Sequence, residues 1–388
     1  MNKKFRFLTS GESHGKCLNA IIEGIPAGIP IDVDEINNDL SRRQKGYGRG
    51  GRMKIETDRV EIKSGIRHGY STGAPVCIEI INKDYENWKT VMCPETVDIS
   101  DEDIKKSIED KTFTKLRPGH ADYAGSVKYG FKDLRNVLER SSARKTAIEV
   151  AVGNIAKQIL KPFNIEGFST VRKIGKAQNS IISEDYKKIR ELSEQSEVRC
   201  FDSAAAEKMK QEIDNAKAKG LTLGGEFEVI FTNLPVGLGS YVHYDRAIDG
   251  LLAQAVMSIP AVKSVEIGAG KSVSELYGNK VHDAFYLENG NIIRKTNNAG
   301  GTEGGMTNGQ PLIIRAAMKP IPTMRTPLPT VDIKNMNEAE AHFERSDTCA
   351  VPACAVVAEA RVAIVIVDEF LDKYGGDSLD ELKAHYEC

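Results

Sequence analysis

Residue types that can perform chemistry are concentrated in four glycine-containing segments of this 388-residue chain. The first is the turn 11–15, which places Ser13 and His14 between two predicted strands. A histidine between glycines in such a turn is well placed to face a ligand, because loops on a rigid scaffold carry much of a protein's function. The pentapeptide also suits an ordinary polar turn, and by itself it favours that interpretation.

The second segment, residues 42–59, is strongly basic. Its cationic side chains are Arg42, Arg43, Lys45, Arg49, Arg52, Lys54 and Arg59. Glycines at 46, 48, 50 and 51 open backbone N–H groups in the same loop. Because the whole chain has a formal charge of only −2, this local cluster indicates a site for a phosphorylated or multiply charged small molecule. A solvated basic loop, partly neutralised by Glu56 and Asp58, is an equally good interpretation.

The third segment has two parts, of which the first is residues 117–122. His120 stands two positions before Asp122. A histidine beside a carboxylate suits proton transfer near neutral pH, and it equally suits a structural hydrogen bond. The sequence therefore indicates either an acid–base group or a satisfied pair at this position.

The second part, residues 139–144, is predicted to open a helix over 142–160. Ser141 and Ser142 would then lie at the N-terminus of that helix, where free N–H groups and the positive end of the dipole favour an anion. A plain helix cap is the commoner use of serine at such a position. The sequence supports both interpretations.

The fourth segment, residues 297–309, is rich in glycine and asparagine. A strand over 311–318 is predicted to follow it instead of a helix, so the context of a dinucleotide-binding fingerprint is missing. The glycines suit a backbone nest for a planar ring or a phosphate tail, or simply a flexible loop. Beyond the strand, Lys319, Pro320 and Thr323 would add polar contacts.

Composition narrows the class of protein. Hydrophobic residues are 40% and charged residues 28% of the chain, which is typical of soluble globular proteins, and no apolar run reaches the length of a bilayer. Seven scattered cysteines fit free thiols in a reducing cytosol better than disulfides or a structural zinc site. The sequence thus predicts a cytoplasmic protein without a secretory signal, a metal site, or a nucleic-acid or membrane partner.

Hydrophobic periodicity predicts a mixture of strands and helices. The strands are predicted over residues 5–9, 17–23, 60–63, 76–81, 226–232, 262–267 and 311–318. The helices are predicted over 34–43, 142–160, 245–258 and 356–370, and within 184–194 and 203–219. Because there is no regular alternation of strand and helix, the α+β class is favoured over a doubly wound sheet. No linker divides the chain, so a single domain over 1–388 is expected.

Together, these segments closely resemble the chorismate synthase family. The matching motifs are GESHG at 11–15, SRRQ and GRGGRM within 41–53, RPGHAD at 117–122, ERSSAR at 139–144, AGGTEGGMTNG at 299–309, KPIPT at 319–323 and RSDTCAVP at 345–352. They follow the family's order over almost the whole chain, and they are far more specific jointly than singly.

The resemblance implies a lyase that converts 5-O-(1-carboxyvinyl)-3-phosphoshikimate to chorismate and phosphate, the last step of the shikimate pathway. The reaction is an anti-1,4-elimination that needs reduced FMN although it involves no net redox change. The resemblance also implies a β-α-β sandwich, with helices packed between antiparallel sheets, assembled as a homotetramer. Some family members reduce the flavin with NADPH, and the sequence leaves open whether this chain does so.

The resemblance also implies the residues of the site, position by position. Substrate contacts would come from Ser13, His14, Arg43, Arg49, Arg117, Arg144 and Arg345. FMN contacts would come from Arg140, Ser141, Ser142, Pro260, Ala261, Gly304, Lys319, Pro320, Ile321, Pro322, Thr323 and Arg345. His14 would protonate the departing phosphate, and His120 would protonate the reduced flavin near N1. Asp347 would assist removal of the ring proton in concert with flavin N5.

Two rival functions share part of this pattern. A flavin reductase, or another FMN enzyme with a phosphorylated substrate, would need the glycine and serine segments without the full set of arginines and histidines. An RNA-binding protein would use the basic loop 42–59. That loop contains a single aromatic residue, Tyr47, and so lacks the stacking platform expected for single strands.

Overall fold

The computed structural model of the chain describes residues 4–50, 57–342 and 347–388. Two antiparallel sheets pack against opposite sides of a helical layer, which confirms the predicted α+β class and the layer order of the sandwich. The strands of the two sheets are β1 Arg6–Ser10, β2 Cys17–Glu23, β3 Val60–Ser64, β4 Val76–Ile81, β5 Glu166–Ile174, β6 Ala177–Gln178, β7 Gly225–Thr232, β8 Val262–Ile267 and β9 Leu312–Met318.

The first sheet has the strand order β1-β2-β4-β3, and all its pairs are antiparallel. In β2, Leu18, Ala20 and Ile22 are buried, and the residues between them are more exposed. This alternation is the sequence pattern of a strand with one face on the core. The turn between β1 and β2 contains residues 11–15, so the edge of this sheet holds His14.

The second sheet has the order β8-β9-β7-β5-β6, also antiparallel throughout. Phe227, Val229 and Phe231 of β7 point into the core at alternate positions. Strand β9 lies between β7 and β8, and its end at Met318 leads directly into loop 319–323. The sheet therefore fixes where that loop starts.

The helices begin and end at defined residues. They are α1 Val33–Gln44, α2 Glu102–Lys111, α3 Asp122–Tyr129, α4 Arg135–Ser141, α5 Thr146–Leu160, α6 Tyr186–Gln195, α7 Ser203–Ala218, α8 Ile248–Met257, α9 Val351–Tyr374 and α10 Leu379–Glu387, with one short turn of helix at Gly278–Val281. Helices α5 and α9 pack on each other, with α5 against the first sheet and α9 against the second. A Cβ at Gly153 of α5 would stand 2.6 Å from Cα of Ala360, so glycine is required for this close approach.

Four small hairpins complete the described strands. They pair Ile66–Arg67 with Tyr70–Ser71, Phe285–Glu288 with Asn291–Arg294, Thr302–Glu303 with Met306–Thr307, and Pro329–Asp332 with Asn337–Glu340. In the described parts of the chain, no helix combines the length and hydropathy needed to cross a bilayer.

The prediction for the start of the long central helix was wrong. Helix α4 ends at Ser141, Ser142 is extended with φ −60° and ψ 142°, and α5 begins only at Thr146. The Ser142 hydroxyl accepts the Arg144 N–H at 3.2 Å and so caps a 3₁₀ turn, Ala143–Lys145, that runs directly into α5. Ser142 is therefore a plain helix cap, whereas Ser141 is the last residue of α4 and does not lie at the N-terminus of the long helix.

Candidate active site

A cavity of about 420 Å³ lies where the segments singled out in the sequence meet. Most of the predicted site residues line it: Ser13, His14, Arg43, Arg49, Arg117, His120, Ser141, Ser142, Pro260, Ala261, Lys319, Ile321, Pro322, Thr323 and Asp347. They come from the β1–β2 turn, the end of α1 and the loop after it, the loop before α3, the end of α4, the loop between α8 and β8, the loop after β9 and the approach to α9. Residues more than 300 positions apart thus share one wall.

His14 is buried, and its ring is held by Glu139 of α4. Its Nδ1 lies 2.8 Å from Glu139 Oε1, and its backbone N–H donates to Oε2 at 2.7 Å. Burial raises the pKa of Glu139, but the hydrogen bonds from His14 outweigh burial and leave that pKa below its usual value. An ionised carboxylate can only accept, so the contact with Glu139 places a proton on Nδ1 of His14.

His120 is held by a carboxylate in the same manner, but locally. Its Nδ1 lies 2.7 Å from Asp122 Oδ1, and Arg117 grips the same carboxylate through Nε and Nη2, each at 2.8 Å. The backbone N–H of Arg117 also donates to Asp122, at 3.0 Å. Burial raises the pKa of Asp122, yet the Arg117 and His120 contacts outweigh it and hold that pKa far below its ordinary value.

The basic loop enters the site through two buried arginines. Arg43, in the last turn of α1, donates from Nε to Thr146 Oγ1 at 3.0 Å, and burial lowers its pKa to about 10 despite the nearby Asp58. Arg49 pairs with Asp347 at 3.2 Å, and Asp347 also accepts the Gly50 N–H at 2.6 Å. These cations face a cavity instead of solvent, so the solvated-loop interpretation does not hold for them.

Arg42 has a different role from its neighbour. Its guanidinium contacts Asp39 at 2.7 Å and Glu359 at 2.9 Å, inside a network of buried charges between α1, α5 and α9. The exposed fraction of its side chain is 11%. Arg42 therefore stabilises the helical layer and does not offer its charge to a ligand. Arg52, Lys54 and Glu56 lie outside the described residues.

Two loops that line the cavity are tied together. The Lys319 ammonium donates to the carbonyl of Gly119 at 2.5 Å, and the Lys319 N–H donates to the carbonyl of Ala261 at 2.9 Å. Ala261 has a φ of +73°, a backbone conformation that costs a non-glycine residue roughly 1–2 kcal/mol. The strained residue lies in the cavity wall, where such strain is often associated with function.

The opposite part of the wall is apolar. It is formed by Leu138, Ile259, Met318, Ala353 and Val357. The Cys354 thiol also lines the cavity, but burial raises its pKa to about 12, so it stays protonated and is a poor nucleophile. A flat, partly apolar ring therefore has a surface on which to lie.

Two buried polar atoms in the wall make no hydrogen bond among the described residues. They are Oγ of Ser141 and Nη1 of Arg43, of which the second lies 3.5 Å from the Asp58 carboxylate in an ion pair. Buried groups of this kind cost about 1–3 kcal/mol each when unsatisfied, so native proteins pair nearly all of them. A ligand with anionic and hydrogen-bonding groups would satisfy both atoms.

Several predicted site residues lie elsewhere. Arg140 donates to the carbonyls of Gly11 and Thr9, both at 2.9 Å, and so braces the turn that carries His14. Gly304 is exposed in the turn of the small hairpin Thr302–Glu303/Met306–Thr307, away from the cavity wall.

Arg144 is buried behind the wall, where its Nη1 contacts Asp58 at 2.6 Å and its Nε donates to Asn82 at 3.0 Å. Pro320 belongs to the loop that contributes Lys319 and Ile321, but it does not line the cavity. Arg345 falls outside the described residues.

Comparison with known proteins agrees with this geometry. The model of the family described as "Chorismate synthase" matches residues 5–371. The chain belongs to the chorismate synthase family. Among curated relatives, the chorismate synthase of Alkaliphilus metalliredigens is 52% identical over 380 residues, covering 98% of this chain and 97% of that protein. That of Gloeobacter violaceus is 50% identical over 388 residues, covering 98% of each.

A solved structure gives the same result in three dimensions. A chain described as "Crystal Structure of Chorismate Synthase" has a TM-score of 0.78 and 40% identity, covering 99% of this chain and 96% of that one. Membership of the family makes this protein a lyase of aromatic biosynthesis through the shikimate pathway. The fold and enzyme class expected from the motifs are therefore confirmed.

The structure also brings in residues that sequence reasoning did not assign. Glu139 opens the ERSSAR motif, yet no role was expected for it. Trp88, the only tryptophan of the chain, stacks on His14 with 4.0 Å between ring centroids and an interplanar angle of 24°. The spacing of 74 positions to His14 carries no periodic signal, so only its being the single tryptophan could have drawn attention to it.

Proposed function

We propose that this chain eliminates phosphate from 5-O-(1-carboxyvinyl)-3-phosphoshikimate to give chorismate, with reduced FMN as cofactor. The observation that carries the proposal is the meeting, in one cavity, of two histidines held by carboxylates and three buried arginines, Arg43, Arg49 and Arg117. The proposed substrate has one phosphate and two carboxylates. The three arginines would supply one cation for each of these anions.

The arginines of the cavity would attract the substrate and would also stabilise the transition state. A low local dielectric strengthens the interaction of Arg43 and Arg117 with charge that develops on the leaving phosphate. Nη1 of Arg43 makes no hydrogen bond and lies 3.5 Å from Asp58, and Arg117 is held rigid by Asp122. Fixed donors of this kind need little reorganisation as the carbon–oxygen bond breaks. In comparable sites such donors lower the activation barrier by several kcal/mol.

His14 is the general acid for the departing phosphate in this proposal. Glu139 holds its Nδ1 and leaves Nε2 to transfer a proton to the leaving oxygen. Asp347, close to Arg49 and Gly50, assists removal of the ring proton. His120, whose Nδ1 is held by Asp122 in the wall of the same cavity, would protonate the reduced flavin near N1.

The wall fits a flavin as well as a substrate. Ser141, Ser142, Pro260, Ala261 and the loop 319–323 would hold the cofactor, with the Ser141 hydroxyl as an available hydrogen-bonding group. When bound in its reduced form, FMN supplies transient electron density to the allylic centre and takes part in hydrogen removal at N5. Arg140, Gly304 and Arg345 complete the proposed set of FMN residues, and Arg144 and Arg345 the proposed set for the substrate.

The quaternary state belongs to the same proposal. We expect one domain over residues 1–388, working in the cytoplasm as a homotetramer. Apolar side chains on the outer face of the first sheet support association, because Leu8 and Ile21 pair across β1 and β2 and are 77% and 53% exposed. Sedimentation of the purified chain tests the tetramer directly.

An anaerobic assay tests the reaction. Purified protein is mixed with the proposed substrate and chemically reduced FMN, and chorismate and phosphate are measured together. We expect equimolar formation of both, and none with oxidised FMN. A folded protein that binds flavin but yields neither product would overturn the proposal. Repeating the assay with oxidised FMN and NADPH decides whether the chain reduces its own flavin.

A further inference from the structure

Trp88 and Glu139 hold the His14 ring from two directions. The indole stacks on the imidazole at 4.0 Å, and Glu139 fixes Nδ1 at 2.8 Å. The indole is itself anchored, because its Nε1–H donates to Asp84 at 3.2 Å. The carboxylate therefore sets the position of the proton, and the stacked ring sets the plane of the imidazole.

Two cations also lie over the indole. The Lys111 ammonium is 4.6 Å from the ring centroid, and the Arg135 guanidinium carbon is 5.1 Å from it. Arg135 also lies 3.5 Å from Glu139, so the carboxylate contacts this cation as well as His14. The charged and titratable groups on surrounding elements and in the shared cavity are Glu139, Arg135, Lys111, Asp84, Arg43, Arg49, Arg117, His120, Lys319 and Asp347.

We infer that Trp88 and Glu139 are positioning residues, which hold His14 with Nε2 toward the substrate. The inference rests on the proposed role of His14 as general acid. A cation stacked on an indole is attracted by the π face, and an ionised carboxylate at Nδ1 adds an opposite charge. Both contacts are stronger for the imidazolium than for the neutral ring, as a general acid requires.

Because the chain has a single tryptophan, its fluorescence tests this inference without an activity assay. A protonated imidazole quenches an excited indole by accepting charge from it, whereas the neutral ring does so weakly. We expect the emission of the full chain, without flavin, to fall as the pH is lowered from 9 to 5.5. The change should be absent in His14→Asn. It should persist in the matched control His243→Asn, because His243 is an exposed histidine that pairs with Asp245 at 2.8 Å.

Glu139→Gln tests the carboxylate separately. The midpoint of the emission change should move down by about one pH unit or more, which is a tenfold loss of proton affinity. An unchanged midpoint, or a pH change in emission that survives His14→Asn, would overturn the inference. Neither result depends on chorismate formation. Whether the proposed function fails is decided by a different measurement, the anaerobic turnover assay of the wild type.

Turnover then distinguishes positioning from simple structural support. Trp88→Leu should lower kcat by roughly ten- to a hundredfold with an unchanged KM, because the reacting ring is misplaced while the substrate contacts remain. Trp88→Phe, which keeps a stacking ring, should restore most of kcat. Equal loss in both variants, or a loss confined to KM, would contradict a positioning role.

Discussion

Each of the two histidines in the cavity is held by a carboxylate, but one carboxylate is near in sequence and the other is distant. His120 pairs with a carboxylate two positions away, within a loop whose groups also fix Arg117. His14 pairs with Glu139, 125 positions away, and has the added stack on Trp88. The exposed fraction of the side chain is 18% for His120 and 9% for His14. One proton position is thus set locally, and the other depends on three separate elements meeting.

Because of this difference, we expect Asp122 and Glu139 to contribute unequally to stability and to catalysis. Asp122 has Arg117 as a permanent charge partner, so its removal leaves a buried cation without compensation. Glu139 mainly serves a ring that can become neutral, and Arg135 has the carbonyl of Lys111 as a further acceptor. We therefore expect the local pair to matter more for folding and the long-range pair to matter more for the orientation of the reacting group.

The largest expected effect is loss of either histidine. His14→Asn and His120→Asn should each lower kcat by roughly 10²–10⁴-fold with the fold retained, because general acid–base groups typically contribute that much. The measurement is anaerobic turnover under saturating reduced FMN, with circular dichroism as the check on folding. His243→Asn, far from the cavity wall, should keep its rate. A near wild-type rate in either cavity variant would remove that histidine from the mechanism.

Removal of the two carboxylates should lower the free energy of unfolding by different amounts. Asp122→Ala should lower the free energy of unfolding by about 3–5 kcal/mol, because it leaves Arg117 buried and unpaired. Glu139→Ala should cost only about 1–3 kcal/mol, the cost of unsatisfied hydrogen bonds. Urea unfolding of both variants against the wild type measures this. A larger loss for Glu139→Ala would reverse the comparison.

The two carboxylates also predict the direction of acid sensitivity. Both have a folded-state pKa below the unfolded value, which is about 3.9 for Asp and 4.3 for Glu. Their stabilisation is therefore fully present above those values, and it is lost as the pH falls toward the folded-state pKa. Asp122→Asn should flatten the dependence of unfolding free energy on pH below about 4 more than Glu139→Gln does. Equal slopes would show that the pairs are equivalent.

The smallest effect concerns the loop of His120 alone. Gly119 has a φ of +80°, so Gly119→Ala should cost roughly 1 kcal/mol of stability. The new Cβ would meet Pro322 at 3.4 Å, which an adjustment of the loop can accommodate. We expect a modest drop in kcat and no change in the pH response of Trp88 emission, which reports on His14. A changed emission titration would mean that the two sites are coupled.

Much of the secondary structure was predictable because it follows local rules. Strand β2 was predicted with its observed bounds, since alternating burial has a period of two. Strand β5 was missed although it pairs with β7, because Phe168 to Val171 are buried together and leave no alternation. Helix α9 is longer than the predicted 356–370, since its first turn from Val351 is also buried and its partly exposed last turn extends to Tyr374.

Only part of the candidate site could be predicted from the sequence. The sequence by itself determined the residue types and the family motifs, and it placed His120 close to Asp122, because neighbours in sequence are neighbours in space. The tertiary structure alone decided that Glu139 and Trp88 hold His14, and that Arg42 turns into the helical layer while Arg43 faces the cavity. These contacts join elements more than 50 positions apart, and their geometry is set by how the sheets and helices pack, a property that no local pattern carries.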